Sequence, residues 1–349
     1  MSLRDGVIDL GFRLFETTRL HRAATPFSRG VGAILMLHRV REDSSGPYAP
    51  NRGLEITPAY LDAVLTFVRQ RGFAIVSLDE AVRRLSAPPA QPFVALTFDD
   101  GTRDTLHVAL PVLARHNAPF AVFVTTGFAD RSARMWWLEL EEAIGALDHV
   151  DVTICDHRVD LPARTPAEKS AAFSAIYRLV RAGGEADLLA VCANLCEQAR
   201  LDTASIVDEA CLTWRGVRCL AQHPLVTIGA HTKTHPRLAK LAAAEARAEM
   251  AESRDTIAAE IAQPIRHLAY PVGDRSSAGV REFATARELG FDSAVTTRPG
   301  MLFPMLANHP TALPRLSING GHQTLAALDI LLSGVPFLLM NGGRRLSVA

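Results

Sequence analysis

Short apolar runs alternate with amphipathic segments along the first third of the chain. Short apolar runs are typical of buried strands, and apolar positions three or four residues apart are typical of helices that bury one face. The predicted strands here are 33–37, 73–76, 93–98 and 120–125. Helices are predicted between them, and two have clear start signals at Thr57-Pro58 and at Ser77-Leu78-Asp79-Glu80. This alternation predicts a parallel sheet with helices on its outside.

The alternation is interrupted between residues 128 and 215. A hairpin is predicted there, with strands at 150–154 and 158–161, and helices follow it. Because connections of this length are uncommon, we predict an inserted, mostly helical subdomain over 128–215. Its role is either structural or that of a lid or one wall of a substrate groove. Trp136 and Trp137 fit the core of this subdomain better than they fit a surface for sugar stacking.

The alternation resumes after residue 215 and predicts a second half of the same α/β domain. Its strands are expected at 225–230, 266–270, 291–296 and 313–317. Residues 1–30 form a predicted helical extension, with apolar positions on one face at Leu3, Val7, Leu10 and Leu14. Residues 321–349 contain one predicted apolar helix, 325–332, and a tail.

The charge balance argues against a nucleic-acid-binding protein. The chain of 349 residues has 37 basic and 37 acidic side chains, which gives a net charge of zero. Proteins that bind nucleic acid usually have a basic excess. We therefore expect no nucleic-acid partner, and the sequence leaves the oligomeric state open.

Cysteine usage and the N-terminal residues favour a cytoplasmic location. The five cysteines include no C-x-x-C pair, so we expect buried thiols in a reducing compartment. No apolar run is long enough to span a membrane. The N-terminal residues mix charges with apolar positions, unlike a signal peptide. We expect the N-terminal helix to pack on the domain, and contact with a membrane surface is the alternative.

Polar and titratable residues follow most of the predicted strands. They are His38, Asp99-Asp100, Thr125-Thr126, His231, Tyr270-Pro271 and Arg315. In a parallel α/β barrel, the carboxyl ends of the strands meet on the functional face. The sequence therefore predicts a site at this face.

Two adjacent carboxylates, Asp99 and Asp100, stand where the strand 93–98 ends. Gly101 gives the backbone freedom to bend, so that both carboxylates can face one cavity. Their mutual repulsion would be relieved by a bound cation or by an arginine. The alternative is a solvated turn, since Asp-Gly is a common turn signal.

His231 and His235 form a His-x-x-x-His pair in a predicted strand-to-helix loop. By itself the pair is weak support for a metal site. With Asp100 it provides two imidazoles and one carboxylate, the ligand set of catalytic zinc with an open position. Asp99 would then be free to act as a general base on water.

Several motifs resemble those of the polysaccharide deacetylases, carbohydrate esterase family 4, which have the NodB-homology domain. They are Thr97-Phe98-Asp99-Asp100-Gly101, His231-Thr232-x-x-His235, Ala269-Tyr270-Pro271-Val272-Gly273, Leu313-Pro314-Arg315 and Leu35-Met36-Leu37-His38-Arg39-Val40. The first two together are the most specific, and the last resembles the exopolysaccharide-modifying branch. The resemblance covers 31–127 and 216–320. It implies a distorted parallel (β/α) barrel, related to the TIM barrel, with the helical subdomain inserted.

The resemblance also implies roles for individual residues. Asp99 matches the catalytic base, and the backbone near Tyr270 matches the oxyanion-binding position. His38 matches the general acid, and Arg315 matches the arginine that orients the base. The metal ligands match Asp100, His231 and His235.

Two departures from the family pattern affect these assignments. Many members have arginine where this chain has Ala269, so orientation of the base falls to Arg315. Many also carry the acid histidine in a late Leu-x-His motif, a context that His309 and His322 lack. The alternatives are that His38 is a buried histidine bonded to backbone and that Arg315 forms a structural ion pair.

The predicted activity is metal-dependent removal of N-acetyl groups from amino sugars of a chitooligosaccharide or polysaccharide. Zn²⁺ is the expected ion, and Co²⁺ or Ni²⁺ would also suit the ligands. One alternative is a deformylase or amidase that acts on a lipid-linked sugar or a small amide. A second alternative is an inactive carbohydrate-binding module, and the four intact residues of the first two motifs argue against it.

Overall fold

Seven parallel strands close into a barrel in this computed structural model, which describes residues 15–42, 46–154 and 156–345. The strands, numbered along the chain, are β1 Gly32–Leu37, β2 Arg39–Val40, β3 Glu55–Ile56, β4 Ala74–Val76, β5 Phe93–Phe98, β6 Phe120–Val124, β7 His149–Ile154, β8 His157–Pro162, β9 Val226–Ala230, β10 His267–Ala269, β11 Ser293–Pro299 and β12 Leu313–Ser317. Around the barrel the order is β1, β12, β11, β10, β9, β6 and β5, and β5 pairs with β1 to close the ring. The first half of β5 pairs with β4 and the second half with β6. The predicted parallel (β/α) barrel is confirmed.

Both faces of β1 and β5 are buried, which explains their largely apolar sequences. All residues of β1 and of β5 are buried. Side chains that point inwards fill the barrel, and those that point outwards lie under helices. The sequence becomes polar where these strands end, at His38 after β1 and at Asp99 after β5.

Helices cover the outside of the barrel and form most of the segment between β6 and β9. In chain order they are α1 Leu20–Ser28, α2 Pro58–Gln70, α3 Leu78–Ser86, α4 Leu110–Arg115, α5 Thr126–Ala129, α6 Trp136–Ala146, α7 Pro166–Ala182, α8 Glu185–Gln198, α9 Thr203–Ala210, α10 Trp214–Ala221, α11 Ala243–Ile261, α12 Val280–Glu288, α13 Leu325–Leu332 and α14 Val335–Met340. A π-helical turn, Thr105–Ala109, precedes α4. Short 3-10 turns lie at Pro50–Leu54, Leu238–Lys240, Pro304–Asn308, Pro310–Ala312 and Gly320–His322.

Local sequence sets where two of the barrel helices begin. The Thr57 hydroxyl accepts the N–H of Tyr60 at the start of α2, and the Ser77 hydroxyl accepts the N–H of Glu80 at the start of α3. Each bond satisfies a backbone donor that has no acceptor inside its helix. The predicted starts of both helices are confirmed.

The segment between β6 and β9 has a hydrophobic core of its own. Helices α6 to α9 and the hairpin surround it, and Leu140, Ile144, Ile176 and Leu195 are fully buried in it. Strands β7 and β8 pair antiparallel, which confirms the predicted hairpin. The predicted limits of the segment at 128 and 215 stay a prediction.

Two smaller predictions are wrong. The C-terminal region contains α14 as well as the expected α13, because the chain turns at Gly334, which has a φ of 74°. Cys219 is exposed, whereas Cys192, Cys196 and Cys211 are buried as expected. Cys155 and the predicted helix face at residues 3–14 lie outside the described residues.

In the part of the chain that the structure describes, no helix has both the length and the apolar character needed to cross a bilayer. The cytoplasmic location stays a prediction.

We expect Leu140→Ala to lower the free energy of unfolding by about 2–5 kcal/mol, because it would leave a cavity in the core between β6 and β9. Urea-induced unfolding followed by circular dichroism would measure the loss. Leu189→Ala is the matched control, since the Leu189 side chain lies in α8 and is 41% exposed. The control should change the free energy of unfolding by less than about 0.5 kcal/mol. Equal losses in the two variants would contradict a tightly packed second core.

Candidate active site

The carboxyl ends of the barrel strands surround a cavity of about 390 Å³. The sequence-predicted residues that line it are His38, Asp99, Asp100, His231 and His235. Arg315 lies behind Asp99, within hydrogen-bond distance of its carboxylate. The remaining wall comes from the 3-10 turn Pro50–Leu54 and from α6 and α7. The barrel therefore brings together residues that are far apart in the sequence.

Asp99 and Arg315 form a buried ion pair. The two terminal guanidinium nitrogens of Arg315 donate to Oδ1 and Oδ2 of Asp99, each at 2.7 Å. Burial would raise the pKa of Asp99, but the charge and hydrogen bonds of Arg315 outweigh it and hold this pKa well below its ordinary value. Asp99 is therefore an ionised carboxylate in a fixed orientation at neutral pH.

Three neighbouring strands hold the guanidinium of Arg315 in place. Its Nε donates to the carbonyl oxygen of Thr296 at 2.8 Å, and Nη1 donates to the hydroxyl of Thr97 at 3.1 Å. That hydroxyl in turn donates to the carbonyl of Leu35. Arg315 therefore contacts the candidate base Asp99 directly. The catalytic role of Arg315 stays a prediction.

His38 lies beside Asp99 and lines the cavity. Its Nε2 is 3.9 Å from Oδ2 of Asp99, which is too long for a direct hydrogen bond. The ring is partly exposed, whereas Asp99 is almost fully buried. A solvent-accessible imidazole beside the candidate base has the position expected of an acid that reaches a substrate.

Asp100, His231 and His235 converge on one point of the cavity. Oδ1 of Asp100 lies 3.5 Å from Nε2 of His231 and 3.4 Å from Nε2 of His235. The three ligand atoms all lie within 4.8 Å of one another, and the side chains are buried. In the described part of the chain, this is the group of His, Cys, Asp and Glu residues that could hold a metal ion.

Hydrogen bonding orients the His231 ring for this role. Its Nδ1 lies 2.8 Å from the carbonyl oxygen of Ala269 and donates its proton to it. Nε2 then faces the cluster that it forms with Asp100 and His235, and the backbone contact through the other ring nitrogen is typical of metal-binding histidines. Burial lowers the pKa of His231, but the hydrogen bond and charge of Asp100 raise it overall. Burial and the neighbouring His231 lower the pKa of His235 to about 3, so His235 is neutral at physiological pH.

Unusual backbone geometry positions these ligands. Asp100 has a φ of 72° and Gly101 a φ of 69°, so the chain turns sharply where β5 ends. Asp and Gly are among the residues that adopt this left-handed conformation most readily. Thr232 and His235 have φ values of 65° and 63° in the loop after β9. Glu249 on α11 stabilises that loop by accepting the N–H groups of residues 233 and 234.

The oxyanion position is predicted for the backbone near Tyr270, and the two donors of Tyr270 itself already have partners. Its N–H donates to the carbonyl of Val295, and its hydroxyl donates to the carbonyl of Thr311. Both donors are therefore occupied, and the ring is buried. Val272, two residues further on, lines the cavity instead and has a φ of 60°. The Pro-Val-Gly sequence at 271–273 was the signal for this tight turn.

Sequence reasoning also missed part of the aromatic wall of the cavity. Phe173 and Tyr177 on α7 line the cavity beside Trp136 and Trp137. The Trp137 ring lies 4.7 Å from the His235 ring, measured between centroids. Trp136 and Trp137 are buried, as expected of core residues, and they also face the cavity. The aromatic pair at i and i+4 on α7 was the available signal.

Residues 86–182 and 191–294 match the sequence model of a family described as polysaccharide deacetylase. The matched segments make up more than half of the chain and include both pairs of motif residues, Asp99 with Asp100 and His231 with His235. The chain belongs to the polysaccharide deacetylase family. Membership supports a hydrolase that deacetylates a polysaccharide. The match also continues through most of 128–215, with a break at 183–190.

Solved structures share the fold of this deacetylase at low sequence identity. The Streptococcus pyogenes deacetylase PplD is 21% identical with a TM-score of 0.56, over 86% of this chain and 97% of that chain. IcaB from Ammonifex degensii is 17% identical with a TM-score of 0.54, over 85% and 96% of the two chains. The BpsB deacetylase domain from Bordetella bronchiseptica is 17% identical with a TM-score of 0.50, over 82% and 94%. Comparison with curated protein sequences gave no significant match.

We expect Arg315→Met to lower the free energy of unfolding of this deacetylase by about 3–5 kcal/mol, because it leaves the buried Asp99 carboxylate unpaired. Urea-induced unfolding in the presence of a chelator would measure the cost. The cost should shrink as the pH falls towards about 4, because a protonated Asp99 no longer needs a cationic partner. The double variant Asp99→Asn/Arg315→Met should be more stable than Arg315→Met for the same reason.

Arg247→Met is the control for the loss of an arginine. Nη1 of Arg247 lies 2.9 Å from Oε2 of Glu288 in an exposed ion pair between α11 and α12. Water and salt screen such a pair, so this variant should keep nearly all of the stability of the wild type. If Arg315→Met cost no more than Arg247→Met, the buried ion pair would not be the stabilising contact described here.

Proposed function

We propose that this protein is a metal-dependent hydrolase that removes N-acetyl groups from amino sugars of a polysaccharide or chitooligosaccharide. The observation that carries the proposal is that Asp99, held by Arg315, lines the same cavity as the cluster of Asp100, His231 and His235. A general base beside a divalent-cation site is an arrangement suited to amide hydrolysis. Membership of the polysaccharide deacetylase family supports the choice of a glycan as substrate.

The donor set fits a divalent cation held by Asp100, His231 and His235. Two imidazole nitrogens and one carboxylate oxygen are the ligands of catalytic zinc sites that keep an open position. Zn²⁺ is therefore the proposed ion, with Co²⁺ or Ni²⁺ as alternatives. Such an ion supplies Lewis-acid chemistry, which polarises an acyl oxygen and makes a water molecule more acidic.

In the proposed reaction, water adds to the acyl carbon and the C–N bond breaks, which yields acetate and a free amine. Asp99 takes a proton from the attacking water. Arg315 keeps Asp99 ionised and aimed into the cavity through its two hydrogen bonds. His38, on the exposed side of Asp99, gives a proton to the leaving nitrogen.

Val272 is the proposed backbone donor for the oxyanion. Negative charge develops on the acyl oxygen during attack, and a fixed N–H group stabilises it. Val272 lines the cavity, and its N–H makes no hydrogen bond to the described residues. This proposal moves the oxyanion position two residues along the chain from Tyr270.

We expect the wild-type protein to bind one Zn²⁺ and the His235→Gln variant to bind it at least about 100-fold more weakly, because removal of a direct ligand costs more than loss of an outer contact. Isothermal titration calorimetry on metal-free protein would measure both affinities. His309→Gln is the control, since His309 is an exposed histidine outside the cavity. Equal affinities for the wild type and His235→Gln would contradict the proposed ligand set.

We expect the zinc-loaded wild type to release acetate from N-acetylglucosamine oligomers, and Asp99→Asn to lower kcat by about 100- to 10,000-fold. Acetate would be measured enzymatically for oligomers of several lengths, with a chelated sample beside each. The loss of activity in Asp99→Asn must occur with zinc still bound, because Asp99 is proposed as base rather than ligand.

The pattern of products would separate the alternative functions. Formate release from a formamido or lipid-linked sugar, without acetate release from any oligomer, would replace the N-acetyl assignment with a deformylase. Binding of oligosaccharides without hydrolysis of any amide would favour the inactive carbohydrate-binding module.

A further inference from the structure

Two aromatic side chains on α7 stand at the mouth of the catalytic cavity. Phe173 and Tyr177 are one helical turn apart and both line the cavity. Their ring centroids are 5.8 Å apart and the ring planes differ by 17°. The Tyr177 side chain remains 36% exposed. The Phe173 ring is 7% exposed and stacks on the more exposed Tyr177 ring. We call this pair the aromatic platform.

A second cavity of about 350 Å³ lies on the other side of the aromatic platform. It shares Pro50, Phe173 and Tyr177 with the catalytic cavity, and Ser170 and Ser174 form its polar part. The shared residues place the two cavities next to each other, with Phe173 and Tyr177 in the wall between them. A ligand longer than one sugar unit that leaves the catalytic cavity on this side would meet the Tyr177 ring.

The loop after β9, which carries His231 and His235, contacts the C-terminal end of α7. Arg237 is fully buried and follows His235 by two residues. Its guanidinium donates to the carbonyls of Val180 at 3.0 Å and of Arg181 at 2.7 Å, and to two carbonyls just beyond the helix. These bonds satisfy carbonyl groups that the helix end leaves without partners. The helix that carries the platform is thus attached to the loop that carries His235.

A second contact ties α7 to the loop that follows β10. Arg181 donates to Oδ2 of Asp274 at 2.5 Å and to the hydroxyl of Ser277 at 3.3 Å. Asp274 lies two residues after Val272, the proposed oxyanion donor. The aromatic platform is therefore fixed relative to two sides of the site before any substrate binds, which lowers the entropic cost of binding.

We propose that the aromatic platform is a subsite for the pyranose ring next to the sugar that is deacetylated. This inference rests on the proposed function and extends it to an oligomeric substrate. A pyranose has an apolar C–H face, which the Tyr177 ring, supported by Phe173, can cover, and it has polar groups around its edge. Ser170 and Ser174 donate to carbonyls one turn back in α7, which leaves their oxygens as acceptors at the rim. An apolar floor with a polar rim suits a sugar better than a lipid chain.

The first test compares the length preference of the wild type with that of Tyr177→Ala. The measured quantity is kcat/KM for the N-acetylglucosamine tetramer divided by kcat/KM for the monomer, with zinc-loaded full-length protein. We expect this ratio to fall about fivefold in Tyr177→Ala, in line with the energy of one aromatic contact, and to be largely restored in Tyr177→Trp. Arg178→Ala is the control, because Arg178 is the next residue of α7, is exposed and lies outside both cavities. It should keep the wild-type ratio.

The outcomes of this test are distinct. Equal losses for monomer and tetramer in Tyr177→Ala would show a structural role for Tyr177 and overturn the subsite. A wild type without any preference for the tetramer would also overturn it.

A binding measurement keeps failure of the subsite separate from failure of the proposed function. Tryptophan fluorescence would follow titration of Asp99→Asn protein with the tetramer, since Trp136 lies 5.8 Å from Tyr177 between ring centroids. If the double variant Asp99→Asn/Tyr177→Ala binds the tetramer about fivefold more weakly than Asp99→Asn, the result would support the subsite even if no acetate were released. No binding of the tetramer would overturn it. Tyr177-dependent binding of a farnesyl-linked sugar, without binding of the tetramer, would assign the platform to a lipid and equally overturn the proposal.

Discussion

Two adjacent buried carboxylates at the end of β5 impose the constraint on which this site depends. Asp99 and Asp100 are almost fully buried, and neither can remain ionised there without opposite charge or hydrogen-bond donors nearby. The barrel provides partners from two directions. β12 brings Arg315 to Asp99, and the loop after β9 brings His231 to Asp100. The left-handed backbone at Asp100 lets the two successive carboxylates contact different partners, which separates the proposed base from the proposed metal ligand.

Closure of the barrel makes this division of roles possible. β5 pairs with β1 on one side and with β6 on the other, and these neighbours pair with β12 and β9 respectively. The arginine and the histidines therefore approach the end of β5 from opposite sides. In an open sheet with the same strand order, β1 and β5 would not pair with each other. Because β12 lies next to β1 and far from β5 in that order, Arg315 would be far from Asp99. The electrostatics of the site thus depend on a topological feature, the hydrogen bonding between β1 and β5.

The segment between β6 and β9 has its own core, yet it is firmly attached to the catalytic loops. Arg237 and Arg181 connect the end of α7 to the loops after β9 and β10. This attachment was not visible in the sequence, because an arginine in a surface-like polar stretch gives no sign that it will be buried. The sequence likewise did not indicate which residue near Tyr270 has a backbone N–H without a partner. The N–H of Tyr270 continues the pairing of β10 with β11, and only the tertiary structure shows that Val272 reaches the cavity.

Local patterns determined much of this protein from the sequence itself. Apolar runs and helix start signals predicted a parallel sheet covered by helices, and the residues that follow the strands predicted a shared site. The resemblance to the deacetylase family implied the closed barrel and the roles of His38, Asp99, Asp100, His231 and His235. These inferences hold because burial on both faces and the shared direction of parallel strands act through local sequence. Only the tertiary structure decided the long-range contacts. It gave the expected contact between Arg315 and Asp99 its geometry of two hydrogen bonds, placed α7 along the cavity, and buried Arg237 against the C-terminal end of that helix. Such contacts depend on how the closed barrel and the second core pack together, and that packing has no periodic signature along the chain.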